Sequence, residues 1–473
     1  MSASLPAAPG AERRTFQIGP LLAGFGIAAA LSIGLAFGCP TPEMRMLGAL
    51  AIGILMTACA MVWPFAALQV LIASSIILIV WVIVGSRAIN AFDLLLPPIL
   101  VGSIFGPARR RALHEDARLP GPGQEAIREA TRRLSRAFLF FYGTAMFSLV
   151  VLGVRGHAGW ALDSSLLLLR GVQGVSLFAL AIWWLRTGRE LRGTVRALQV
   201  GLAIMVALDL WFILTAGIAR AGMAWIVNEP KWPMTSANEA AIALLVVAAI
   251  LQARPAAWRG ATHAVWIGIM LIMLVLTQSR SGLLAWGVYG LFGVRWRLRS
   301  AVVMLIFIAI AVPMIPEVYW GRVTRTFSLS GGSFEAYSSL IRIYGWQAAL
   351  RMFFDHPIFG VGYLGFRFLS AGYNDLGLVI NTVENYYLEV AVGTGLLGLA
   401  ALGFVLHALW NLAKPVLAAA TPGTFGHELA RRHRPLMLAL LVANLTADNF
   451  VGMLGLAQVA LWCALLIRAG HLS

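Results

Sequence analysis

Three polar stretches interrupt the apolar runs in the second half of the chain. They are Thr277-Gln278-Ser279-Arg280-Ser281-Gly282, the segment from Arg342 to Gly365, and Thr382-Val383-Glu384-Asn385-Tyr386-Tyr387, which opens a glycine-rich helix. Two kinds of chemistry are available in them. The planar guanidinium forks of Arg280 and Arg342 suit paired, charge-assisted hydrogen bonds to anionic oxygens. The Glu384 carboxylate suits proton abstraction, and apolar neighbours would raise its pKa towards a useful range. Plainer readings stand beside these: an interfacial anchor for each arginine, and a carboxylate complementing the helix dipole for Glu384. Glu389 lies one turn after Asn385 on the same face, and reads as a hydrogen-bonding residue within a bundle ahead of a catalytic one. His356, the only histidine of its loop, reads as part of the Asp355-His356-Pro357 stop of a helical pattern ahead of a catalytic residue. Gly360, Gly362 and Gly365 lack the preceding strand and following helix of a phosphate loop and read as a turn, while Gly395 and Gly398 suit close helix packing.

The elements that must hold these residues are membrane helices. Hydrophobic residues make up 60% of the 473 and charged ones 12%, with a mean hydropathy of +0.82. A soluble chain of that composition lacks the polar surface to cover itself, so the bilayer is its solvent. The net charge of +16 is spread as short arginine clusters between apolar runs. That pattern reports topology rather than a nucleic-acid surface. The runs predict an all-α polytopic membrane protein, one membrane domain over 1–473 with about 12–14 spans. The spans fall near 18–38, 45–62, 65–84, 88–106, 137–155, 164–185, 195–218, 237–253, 261–278, 281–294, 301–316 and 384–410. A last run at 436–468 is long enough for two, with Asp448 and Asn449 marking a turn. The arginine bias puts 107–136 and both termini in the cytoplasm and 317–383 outside as the one long extracytoplasmic loop. Helical periodicity from Ser338 to Phe354 predicts a surface helix within it. Asp209 and Arg170 fall inside apolar runs, where ionisable groups are functional or paired. The three cysteines imply no disulfide framework.

The serine-arginine stretch at a helix end, the long outer loop with an arginine and a proline-glycine turn, and the closing helix resemble the O-antigen ligase and O-antigen polymerase family over roughly 215–405. In the ligases a His-Asn pair opens the closing helix, whereas here the pair is Glu384-Asn385. An acidic residue at a similar place also makes this segment resemble peptidoglycan polymerases. The resemblance implies metal-independent, inverting transfer of a glycan from an undecaprenyl-diphosphate carrier to an acceptor sugar hydroxyl, with no cofactor, in the bacterial inner membrane with the site facing the periplasm. It casts Glu384 as general base, and Arg280 and Arg342 as ligands of the diphosphate, with Asn385 beside them. Arg220, with Asn238 and Glu239, either touches glycan or diphosphate or forms a polar collar at a helix start. The implied partners are the lipid-linked glycan, an acceptor glycan or glycolipid, membrane lipids and a chain-length regulator. Glu384 in the ligase histidine's place favours polymerisation over ligation to a lipid A core. A flippase or secondary transporter has a similar helix count, but transporters place their polar sites near the midplane on broken helices.

Overall fold

The computed structural model describes residues 42–76, 80–84, 87–106, 122–216, 237–255, 258, 263–277, 279–293, 334–448, 450 and 453–472. The chain is an all-α polytopic membrane protein with one small β-ribbon. In chain order come α1 (Pro42–Val62), α2 (Pro64–Ser74), β1 (Val80–Val84), β2 (Arg87–Asn90), α3 (Ala91–Phe105), α4 (Pro122–Val154), α5 (Ala158–Trp184) and α6 (Gly188–Ala216). There follow α7 (Ala237–Gln252), α8 (His263–Thr277), α9 (Arg280–Gly293), α10 (Phe334–Asp355), α11 (Phe366–Leu369), α12 (Tyr386–Asn411), α13 (Ala413–Ala419), α14 (Phe425–Ala443) and α15 (Met453–His471). Among the described residues three helical stretches are long and apolar enough to cross a membrane: Gln124–Val154, Ala158–Trp184 and Tyr386–Ala419. Shorter apolar helices accompany them. The predicted spans at 18–38 and 301–316 lie outside the described residues.

Helix α7 is the axis of the bundle. Every residue from Ala240 to Leu251 is buried, as a helix apolar on all sides requires. It packs against α8, α9, α14 and α15, while α12 lies along α4, and α15 along α5. Buried polar side chains tie the helices where apolar packing alone gives no register. Trp462 donates to His433 Nδ1 at 2.8 Å, and the opposite ring nitrogen lies 2.7 Å from the Leu409 carbonyl, joining α15, α14 and α12. Arg170 pairs with Asp93 at 3.2 Å, so this charge within an apolar run has a structural partner. The backbone at Asp209 lies within α6. Leu139, Met146 and Val150 of α4 and Leu162 and Leu169 of α5 stay exposed, an apolar surface suited to hydrocarbon.

Two predicted boundaries are corrected. The run 65–84 does not make one helix: α2 stops at Ser74, and the chain continues as β1, paired antiparallel with β2 in the register Val84 to Arg87 and Val82 to Ile89. The β-branched sequence Val80-Trp81-Val82-Ile83-Val84 favours a strand, and the hydroxyls of Ser74 and Ser75 bond back to the Leu71 and Ile72 carbonyls at the helix end. Helix α4 starts at Pro122 rather than near 137, because Arg132 and Arg133 bind Glu125 and Glu129 at 2.8 and 3.0 Å along one face and support the polar turns. The run 436–468 resolves into the end of α14 and α15, with Asp448 in the turn between them.

The ends of the bundle differ. Trp258, beyond α7, packs against Phe425 at the start of α14, with ring centroids 5.1 Å apart and the planes tilted by 40°, and Arg468 Nε donates to Ile182 O at 2.6 Å. One end therefore collects Arg186, Arg431, Arg432 and Arg468. The other collects the starts of α7, α9 and α12, the end of α14 and the segment 356–385.

Candidate functional site

The site is built around the peptide before α12. Trp346 of α10 donates its indole N–H to the Val383 carbonyl at 2.9 Å, and the Val383 N–H donates to Glu389 Oε2 at 3.3 Å. Glu389, buried in the first turn of α12, thus acts on the backbone that carries Glu384. Asn385 is the N-cap: its Oδ1 accepts from the N–H groups of Tyr387 and Leu388, each at 3.1 Å. Tyr386 N donates to the Asn444 carbonyl at 3.0 Å and the Tyr387 hydroxyl to the Leu441 carbonyl at 2.9 Å, which fastens the start of α12 to the end of α14.

Held between these anchors, Glu384 adopts φ +55°, a left-handed conformation that costs a side-chain-bearing residue about 1–2 kcal/mol. Strain of this kind persists where the surroundings over-determine it. The carboxylate projects to Arg342 of α10, with Nη2 3.2 Å from Oε2, and accepts from the Thr382 hydroxyl at 3.4 Å. Both partners are about three-quarters buried, with 25% and 30% of their side chains exposed. Arg342 Nε is buried and has no hydrogen-bond partner among the described residues. Asp448, in the α14–α15 turn, completes the group. Burial, then the Glu384 charge, pushes its carboxyl up to about 6, and Arg342 opposes that rise.

A second polar group lies at the same end of the bundle. Asn238 Oδ1, at the start of α7, accepts from Ser279 Oγ at 2.7 Å and Ser281 Oγ at 3.0 Å, and Ser279 Oγ in turn caps the Gly282 N–H at 2.9 Å. A Cβ at Gly282 would run into Ala241, so glycine lets α9 close on α7. These contacts make a rigid base for Arg280, the exposed first residue of α9. Arg220 lies outside the described residues.

The glycine turn and the closing helix prove to be one feature. Gly395 has φ +66°, outside helical geometry, and interrupts α12. Residues 357–362 fill that break: Val361 N donates to Val392 O at 2.8 Å, Gly362 N to Gly393 O at 3.0 Å and Leu396 N to Pro357 O at 2.8 Å. Cβ atoms at Gly360 and Gly395 would strike the carbonyls of Val392 and Ile358 respectively. The turn is thereby fixed to the helix that carries the site. His356, at its start, has its pKa lowered by burial and by the nearby Arg155. Its backbone N–H continues α10 to Met352 O at 3.0 Å.

The structure brings Arg342, Glu384, Asn385 and Glu389 together and sets Arg280 on a separate helix end. Asp448 was marked by sequence only as a turn residue, and Trp346 gave no sign of a role at all. Among the described residues no group of three or more His, Cys, Asp or Glu side chains could hold a metal ion.

The described helices form an all-α membrane bundle with an arginine-carboxylate pair, Arg342 and Glu384, at one end. Residues 265–403 match the family model of the O-antigen ligases, a segment that includes Arg280, Arg342, Glu384 and Asn385. The match supports membership of the O-antigen ligase and polymerase family, and with it a membrane enzyme that transfers glycans. No curated protein matches the chain.

Proposed function

We propose that the chain is a glycan polymerase of the bacterial inner membrane, with the Arg342–Glu384 end facing the periplasm. It transfers oligosaccharide from an undecaprenyl-diphosphate carrier to an acceptor sugar hydroxyl. The arginines gathered at the opposite end of the bundle support that orientation by the positive-inside rule. The observation that carries the reading is Arg342, paired with Glu384 through Nη2 and holding a buried, unpartnered Nε.

A diphosphate arriving at Arg342 competes with Glu384 for the guanidinium. Binding it frees the carboxylate beside Asp448 to accept a proton. The acceptor hydroxyl then attacks the anomeric carbon while its proton passes to Glu384. The bond from that carbon to the diphosphate oxygen breaks, and the electron pair leaves on undecaprenyl diphosphate, whose growing charge Arg342 stabilises. A single displacement inverts the anomeric centre. Arg280, on its serine-asparagine base, supplies a second cation for the diphosphate or the glycan beyond it, and Asn385 keeps its amide N–H groups for the same ligand while Oδ1 caps α12. The reaction needs no metal.

The family description favours a second reading, a ligase that delivers finished glycan to a lipid A core. The purified chain incubated with lipid-diphosphate oligosaccharide alone separates the two. A ladder of products is the expected result. Transfer that starts only after lipid A core is added would establish ligation instead.

A further inference from the structure

At the end of the bundle opposite Arg342 and Glu384, a groove of about 930 Å³ runs between α4 and the α12–α13 junction. It is open to the surroundings of the bundle, and its two halves differ. Towards the middle of the bundle its walls are Phe140 and Phe404, which are 43% and 57% exposed and meet edge to face with centroids 5.9 Å apart. Towards the end it is lined by Arg133, Arg136 and Lys414, with His407 between. Glu129 is the one acidic residue in the lining, and Arg133 Nε and Arg132 Nη2 already hold it at 3.0 and 3.2 Å. Lys414 makes no hydrogen bond or ion pair with a described residue. Helix α13 carries it just past the end of α12 at Asn411, inside the last turns of the apolar stretch Tyr386–Ala419 and at the end of the bundle where the arginines gather.

We infer that this groove is a binding site for an anionic phospholipid, its phosphodiester held by Arg133, Arg136 and Lys414 and one acyl chain lying against Phe140 and Phe404. Charge complementarity commits the site to that occupant. Three cations and one carboxylate line the slot, and of the cations Arg133 is engaged through Nε with that carboxylate while Arg136 and Lys414 are not, and the apolar half continues into the exposed leucine and phenylalanine surface of α4. Basic pockets between membrane helices hold lipid phosphates in this way. A free phosphate would satisfy the cations but leave the aromatic half uncovered. Arginine side chains that merely extend to the interface would need neither the cavity nor its convergence with a lysine from another helix. The lipid would also brace the seam between α4 and α12, the helix whose first turn follows Glu384. The inference stands apart from the glycan-transfer reading, since the groove and the candidate site share no residue.

Native mass spectrometry of the full chain in detergent, titrated with phosphatidylglycerol, phosphatidylcholine or inorganic phosphate, tests it. Tight binding of one phosphatidylglycerol is expected, with phosphatidylcholine weaker and excess inorganic phosphate displacing little. Lys414→Gln and Arg136→Gln should each weaken phosphatidylglycerol binding by about fivefold, on the basis of roughly 1 kcal/mol per interfacial cation. Arg351→Gln, at the other end of the molecule and paired with Asp375, should leave it unchanged and report that folded protein is being measured. Equal affinity for the two lipids, full displacement by inorganic phosphate, or an unchanged affinity in both groove variants would overturn the assignment.

Discussion

Glu384 carries the sharpest consequences at the scale of single residues, because it combines a reactive group with a backbone conformation that its side chain disfavours. Glu384→Gln keeps size and hydrogen bonding but cannot take a proton, so turnover should fall by about 10²-fold or more with donor binding retained. Glu384→Gly separates catalysis from folding. It relieves about 1–2 kcal/mol of left-handed strain, offset by the lost, partly exposed ion pair at about 0–1 kcal/mol and by a freer unfolded chain. Thermal unfolding of that variant should stay within a few degrees of wild type while product formation is abolished; a cooperative loss of fold would make Glu384 a structural residue. Asp448 gives a pH signature. Its carboxyl is raised from 3.8 to about 6, so between those values the folded state keeps a proton that the unfolded state has released. Stability therefore falls as pH rises through that window. Asp448→Asn should raise Tm relative to wild type at pH 7.5 and lose that advantage by pH 4, measured by thermal scans in detergent. Arg342 and Glu384 were legible because a guanidinium and a carboxylate beside helix ends have few other uses. Asp448 was legible only as a turn, since its approach to Glu384 depends on α14 returning to the start of α12. Nothing in a glutamate's identity announces a positive φ.

At the scale of elements, α12 and the turn before it form one unit, and that pairing escaped the sequence. The glycines at 360, 362 and 395 were visible, but a turn that fills the break of a later helix is a tertiary fact, and Gly395 reads equally well as a small residue for helix packing. The helices themselves were legible where apolar periodicity is long and bounded. Helices α7, α8 and α9 fall within about two residues of their predicted limits. Misreadings came where another force overrode hydropathy: β-branched density after α2, and the glutamate-arginine ladder that extends α4. Gly395→Ala tests the unit. The new Cβ would meet the Ile358 carbonyl at a φ that alanine disfavours, so the loss should be at least about 2 kcal/mol of stability with activity lost alongside. Gly403→Ala, in the same helix with open space around it, should be tolerated.

For the whole molecule, the polarity of the bundle is the claim that most depends on physics outside the chain. The arginine bias predicted it, and the structure sorts the starts of α7, α9 and α12 to the end away from the Arg431–Arg432 cluster. In a cysteine-free background, Asn381→Cys should react with an impermeant maleimide once the outer membrane is permeabilised. Arg132→Cys should react only after the inner membrane is opened, and the reverse pattern would move the site to the cytoplasm. Proton acceptance by Glu384 in the proposed polymerisation is read from a single comparison. Wild type and Glu384→Gln are compared for ladder formation from lipid-diphosphate oligosaccharide, with donor affinity measured on the same preparations. Donor affinity should be unchanged and the ladder slowed by about 10²-fold or more in the variant. A well-folded Glu384→Gln protein that builds the ladder at the wild-type rate would contradict that role for Glu384.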